Sequence, residues 1–297
     1  MNKKNIKLLI LCIFIIGTSF YIHTIKLVAK SKLLEKAETP YGDVFVYETR
    51  SGRRMLKFHL KTNMVETMYN PKDPLELNLD YTKTILISFP YIKQHDKMLL
   101  IGLGGGTLPS YINHYMPEKS FTTVEINPKV FEVAKKYFDF KETNNFNVEI
   151  TDGRMFIKKS QEKYDLIMLD AYKAFDIPFH LLTKEFYQEV EAHLENDGVV
   201  AQNVANGIKL LDGIIATMKN VFDNVEIYAK GNEKIVIAYN GKKKTKEFLF
   251  ENATKLQKQY NFRYSLVGLL NNRSSYKGKP ADILTDDFAP VNFLNMK

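Results

Sequence analysis

Tryptophan is absent from the 297 residues, and cysteine occurs once, at Cys12. A single cysteine excludes an intrachain disulfide and any metal centre built on cysteines; it fits a reducing compartment. Cys12 is also a poor lipid-attachment site, because Leu11 rather than a small residue precedes it and the apolar run continues past it. Internal repeats and low-complexity blocks are lacking. A broad excess of positive charge is lacking too, despite a formal net charge of +8. Residues 1–36 carry seven lysines (3, 4, 7, 26, 30, 32 and 36) against Glu35, which leaves 35 basic and 33 acidic residues in the rest of the chain. That near-balance offers no field for a polyanion, so no nucleic-acid partner is expected. The six histidines (23, 59, 95, 114, 180 and 193) show no ligand spacing, and no metal is expected.

Hydrophobic residues make up 45% of the chain and charged residues 26%, enough to bury a sizeable core. The length suits one large domain plus an appendage. Leu8 to Ile25 is a nearly uncharged run flanked by lysines on both sides. It reads as a short membrane span or a signal segment. The exit from the run offers no small-x-small cleavage site, which favours an uncleaved anchor over residues 1–32. The flanking lysines fit anionic lipid headgroups. They do not orient the span, since both ends carry them.

Residues 33–40 read as a linker. Alternation then predicts strands over Asp43–Glu48 and Met55–Leu60 around a Ser51-Gly52 turn, with Asn63–Met68 as a third. A helical pattern starts at Asp73-Pro74 and runs to about Ile92. Residues 33–95 therefore form a small β-rich domain with a linking helix. From residue 96 to 297 the pattern becomes strictly alternating. Strands are predicted at Met98–Ile101, Phe121–Ile126, Val148–Thr151, Tyr164–Leu169 and Val199–Asn203, with helices between them, then the strand pair Val225–Ala229 and Lys234–Ala238. This order implies an α/β, Rossmann-like domain whose mostly parallel sheet has helices on both faces. A helix near Lys246–Tyr260 and a tail follow.

The strongest local signal is Leu99 to Thr107, where a strand runs into Gly102, Gly104, Gly105 and Gly106 and then a helix. Such a turn lets backbone approach a ligand at a helix N-terminus. A glycine cluster also serves plain turns, and its context decides. Glu125 ends the next strand, where a carboxylate can accept both hydroxyls of a ribose; the plain alternative is a surface glutamate. Asp152-Gly153 follows the third strand, where the acid can accept an adenine amino group and the glycine leaves room for the base; the alternative is an ordinary Asp-Gly turn. Asp170 ends the apolar run Tyr164–Leu169 and lies where ligands of open α/β sheets bind. Partial desolvation there favours a general base; the alternative is a helix cap or a structural carboxylate.

Together with Val124-Glu-Ile-Asn-Pro128, Leu182-Thr-Lys-Glu-Phe-Tyr187, Asn196 to Gln202 and the tail Leu284 to Val291, these motifs resemble the spermidine synthases, and most of all their membrane-anchored branch. The resemblance spans roughly residues 41–292. It implies a small N-terminal β domain, a seven-stranded methyltransferase-like Rossmann domain, and transfer of an aminopropyl group from decarboxylated S-adenosylmethionine to an amine. It implies that Glu125 holds the ribose, Asp152 the adenine, Asp170 the attacking amine, and that Tyr81 lines the acceptor tunnel. A homodimer is carried forward as an expectation. Adenosylsulfonium compounds are made in the cytoplasm, so the catalytic domain is expected there.

Three departures stand out. The family carries Asp where this chain has Gly105, a second Asp where it has Lys173, and His-Glu where Thr82-Lys83 follow Tyr81. Each removes a polar or negative partner from a site meant for cations. Asp176 is expected to replace part of the lost charge, acting with Tyr81 to orient the amine. Loss of the acid also relieves repulsion against the carboxylate of S-adenosylmethionine, so methyl transfer is the rival reading. A catalytically silent membrane-anchored binding protein is the third. The run Met64–Met68 reads as packing.

Overall fold

The structure, a computed structural model, describes residues 31–60, 64–172, 176–205, 210–231 and 233–287. The expected anchor over residues 8–25, Lys173 and the end of the tail beyond residue 287 lie outside the described residues. Among the described residues, no helix is long and apolar enough to cross a membrane.

Two sheets build the protein. The first is antiparallel, with β1 (Lys32–Ala37), β2 (Val44–Glu48), β3 (Arg54–Lys57) and β4 (Thr67–Tyr69) in sequence order. A short helix α1 (Asp80–Thr84) and a buried 3-10 stretch (Ile85–Tyr91) lead into the second sheet. That sheet comprises β5 (Lys97–Ile101), β6 (Ser120–Glu125), β7 (Phe146–Ile150), β8 (Tyr164–Leu169), β9 (Leu194–Val204), β10 (Asn224–Lys230) and β11 (Glu233–Tyr239), in the order β10-β11-β9-β8-β5-β6-β7. The pairs from β9 through β7 are parallel, and β10 and β11 add an antiparallel edge. This is the expected α/β, methyltransferase-like Rossmann architecture.

Alternation along the central strands explains the layers. Met98 and Leu100 of β5, and Leu166 and Met168 of β8, face one core with α2 (Thr107–Tyr115), α7 (Lys246–Tyr260) and α8 (Leu266–Leu270). Leu99, Ile101, Ile167 and Leu169 face the other with α4 (Gly153–Lys159), α5 (Lys184–Ala192) and α6 (Leu211–Val221). Both faces are covered, so the strands read as continuous apolar runs. Capping residues set the helix starts: Asn127 caps α3 (Pro128–Tyr137), Asp152 caps α4, Thr183 caps α5 and Thr245 caps α7, each accepting a backbone N–H of the first turn.

Two expectations are corrected. The linker over residues 33–40 is largely strand β1, an edge strand whose Lys32, Glu35 and Lys36 mask its alternation. The long helix from Asp73 is instead a looped stretch followed by α1 and the 3-10 turns. Glu76 pins the loop by accepting from Asn70 Nδ2 at 2.7 Å and Arg53 Nη2 at 3.2 Å. Ile85–Tyr91 is buried on all sides, which removes the one-sided stripe of an α-helix. The third small strand, expected over Asn63–Met68, is the shorter β4, Thr67–Tyr69, and α8 occupies part of the predicted tail.

The small sheet docks on α3. Val44, Val46, Leu56 and Tyr69 pack with Val130, Val133 and Phe138. Glu35 anchors β1 to the same helix, with Lys136 Nζ and Tyr137 Oη donating at 2.8 Å and Lys129 paired beside them. Lys129 and Lys136 hold its carboxyl down at about 2. A depressed carboxyl contributes stability that is present above its ordinary pKa and lost as pH falls toward the folded value. We therefore expect Glu35→Gln to lower the urea midpoint at pH 7. The gap from the unmutated protein should close as pH drops from 5 to 2, read by circular dichroism; a gap independent of pH contradicts this account.

Candidate active site

At the end of β5 the chain must turn hard. Gly102 adopts φ +103°, and its N–H donates to Val124 O at 2.8 Å. A Cβ at this position would lie 2.2 Å from the carbonyl oxygen of Asp170, so only glycine lets the ends of β5 and β8 meet. The Asp170 N–H donates in turn to Ile101 O at 2.8 Å. The next amide, Leu103 N–H, donates to Glu125 Oε2 at 3.0 Å, and Asn127 N–H donates to Oε1 at 2.9 Å. Glu125 is thus buried at the tip of β6. Burial pushes its pKa up, and these backbone donors oppose the shift.

A cavity of about 350 Å³ opens above these strand ends. Exposed Ile126 and His180 stand on its outer side, and Asp152, Gly153, Pro178 and Leu181 also line it. Gly102, Leu103, Gly104 and Glu125 line it as well. Asp170 and Tyr81, both enclosed, mark an inner end to which Glu66, Tyr172, Asn203 and Glu233 also belong. The expected residues Gly102, Gly104, Glu125, Asp152, Gly153, Asp170 and Tyr81 therefore meet in one crevice.

Gly105, Gly106 and Asp176 do not line it. Gly105 faces the small sheet: its N–H donates to Thr67 Oγ1 at 2.8 Å, and a Cβ would strike Thr67 and Phe138. Gly106, at φ +75°, starts α2 and lies against Phe140. Both glycines are required by packing rather than by a ligand. Asp176 is exposed, and its loop contributes Pro178, His180 and Leu181 instead. Gly153 lines the cavity, and a Cβ there would also reach 2.4 Å from Ile101 Cγ2. Its bareness seats α4 against β5.

Asp152 both caps a helix and lines the cavity. Its Oδ1 caps α4 by accepting Met155 N–H at 2.9 Å, while Oδ2 lies 2.9 Å from His180 Nε2 at the cavity mouth. The His180 contact lowers its pKa. The neighbouring Arg154 clamps the tail, bonding Asp286 through Nη1 at 2.7 Å and Glu189 through Nε at 2.7 Å.

The inner end is acidic. Asp170 Oδ1 accepts Asn203 Nδ2 at 2.8 Å, and the Tyr81 hydroxyl lies beside the same carboxylate. Burial pushes Asp170 up to about 7. Burial and the charge of Asp170 do the same to Glu66, also to about 7. Burial raises Glu233, which accepts the Tyr81 backbone N–H. Its Oε2 is buried with no hydrogen-bond partner among the described residues. Tyr172 Oη donates to Asn203 O at 2.9 Å and accepts Ala205 N–H at 2.7 Å, which holds this wall.

Glu66, Glu233, Asn203 and Tyr172 escaped the sequence reading. Glu66 sits in Met64–Met68, taken as packing; its signal was a lone acid between apolar residues. Glu233 follows the Gly231 turn and looks like a surface hairpin residue.

The fold and crevice define a Rossmann-like α/β domain with a cavity beyond the carboxyl ends of its parallel strands. Residues 81–242, more than half of the chain, match the spermine/spermidine synthase domain, and the chain belongs to that family. It is 28% identical over 277 residues to the polyamine aminopropyltransferase of Vibrio vulnificus, covering 90% of this chain and 93% of that protein. It is 34% identical to the eEF1A lysine and N-terminal methyltransferase of Bos taurus, over only 42% of this chain and 20% of that protein. The fold is similar to the spermidine synthase from Thermotoga maritima, with TM-score 0.66 at 19% identity over 82% of this chain and 85% of that one.

Gly102→Ala tests the junction of β5 and β8. The added methyl strains a positive-φ turn and collides with the Asp170 carbonyl, so stability should fall by about 3 kcal/mol. Thermal denaturation checks this; an unchanged melting temperature contradicts the close approach.

Proposed function

We propose that this chain is an aminopropyltransferase, moving the aminopropyl group of decarboxylated S-adenosylmethionine to an amine of a polyamine-type acceptor. The observation that carries the reading is the cluster of Asp170, Glu66 and Glu233 in a crevice that Glu125 also lines. Buried carboxyls crowded together suit a ligand that brings positive charge. The near-full-length similarity to the Vibrio vulnificus polyamine aminopropyltransferase supports the same chemistry.

The residues fit the proposed substrate by chemical type. Glu125, oriented by backbone amides, is suited to accept ribose hydroxyls. Asp152 would accept the adenine amino group once His180 yields its oxygen, and Ile126 and Leu181 offer apolar surface to the base. In the transfer, the acceptor nitrogen attacks the carbon next to the sulfonium. The carbon–sulfur bond breaks, its electron pair stays on sulfur, and a neutral thioether leaves. The nitrogen needs a free lone pair, so Asp170 takes the proton from the acceptor ammonium while Tyr81 orients it. No metal enters these steps.

S-Adenosylmethionine-dependent methyl transfer is the second reading. It is favoured by Gly105, which leaves the glycine turn without a carboxylate. Attachment to the membrane through residues 8–25, with the catalytic domain in the cytoplasm, rests on the sequence alone, as does a homodimer.

Purified protein incubated with a diamine and either sulfonium compound separates the readings. Methylthioadenosine formed from the decarboxylated form is expected; S-adenosylhomocysteine formed from S-adenosylmethionine instead sinks the proposal. A carboxyl raised to about 7 works as a base only above that pH, so kcat/KM should climb as pH rises through 7. Asp170→Asn should cut kcat by about 100-fold or more.

A further inference from the structure

We infer that Glu66 supplies the counter-charge for the ammonium of the transferred aminopropyl chain, replacing the carboxylate that the glycine turn lacks. The assignment rests on the reading of aminopropyl transfer above.

Position 105 is closed to any side chain. A Cβ there would stand 2.6 Å from Thr67 Cγ2 and 2.8 Å from Phe138 Cδ1. The contact that closes it also brings β4 onto the turn, and so sets the residue before Thr67 at the cavity wall. The Glu66 carbonyl oxygen lies 4.0 Å from where a Gly104 Cβ would be. Its N–H donates to Leu56 O at 2.9 Å, and its carbonyl accepts the Tyr81 hydroxyl at 3.4 Å. With its backbone fixed on both sides, Glu66 points its chemistry into the space shared by Gly104 and Asp170. The missing acid of the turn is thus replaced from a different domain.

The charges around Glu66 fit that role. Asp170 on β8's end repels its ionised form, and Lys57 on β3 attracts it. Lys57 is itself buried, and burial lowers its pKa. Two carboxyls sharing one enclosed end hold a cationic chain well and reject an α-carboxylate. Glu66 therefore selects the decarboxylated sulfonium over S-adenosylmethionine.

Calorimetry on the full-length protein in detergent tests this with three ligands: decarboxylated S-adenosylmethionine, S-adenosylmethionine and 5′-methylthioadenosine, which lacks the charged chain. The unmutated protein should favour the decarboxylated compound. Glu66→Gln should weaken that compound by about tenfold or more and leave methylthioadenosine affinity unchanged. Equal weakening of both ligands, or of neither, overturns the role of Glu66 while leaving aminopropyl transfer standing. A preference of the unmutated protein for S-adenosylmethionine overturns the transfer reading itself, and this inference with it.

Discussion

The approach of the Asp170 carbonyl to the bare α-carbon of Gly102 is the contact on which the crevice depends. Neighbouring parallel strands end together here, with Asp170 N–H on Ile101 O and Gly102 N–H on Val124 O. The positive φ of Gly102 turns the next amide onto the Glu125 carboxylate. One absent methyl group thus sets the reach of β8, the course of the turn and the orientation of a buried acid. Rigid strand ends carry these groups, so their geometry does not depend on loop motion.

The acids of the crevice are treated unequally. Backbone N–H groups surround Glu125 and compensate its burial. Asp170 has one amide donor and the Tyr81 hydroxyl, and Glu66 has the attraction of Lys57. Glu233 keeps an oxygen with no partner among the described residues. Under-compensated buried acids cost folding free energy. Their concentration at one end of one cavity marks where stability has been yielded to ligand binding.

The central sheet was legible because burial on both faces leaves a plain apolar signal, as in Tyr164–Leu169; helix α7, Lys246–Tyr260, also has the bounds that the sequence pattern predicts. Strand β1 was hidden because an edge strand tolerates charge. The stretch from Asp73 misled because full burial of Ile85–Tyr91 erases helical periodicity. In the site, residues at strand ends of the Rossmann domain were readable from local order. Glu66 and Glu233 were not, since they reach the cavity through docking of a distant sheet and a hairpin. Asp176 shows the reverse error: nearness to Asp170 in the chain does not give nearness in the crevice. Gly105 and Gly106 belong to the right motif but do not line the cavity, because a glycine does not declare which neighbour forbids its side chain.

The docking of the small sheet on α3 has a consequence for the order of synthesis. Val44, Val46, Leu56 and Tyr69 leave the ribosome well before Val130, Val133 and Phe138, the surface that covers them. During that interval the strands have strand partners, but their apolar face lacks its cover on α3. The small sheet is covered only once α3, which follows the first two strands of the second sheet, has been made. The wall that bears Glu66 is therefore translated early and completed late.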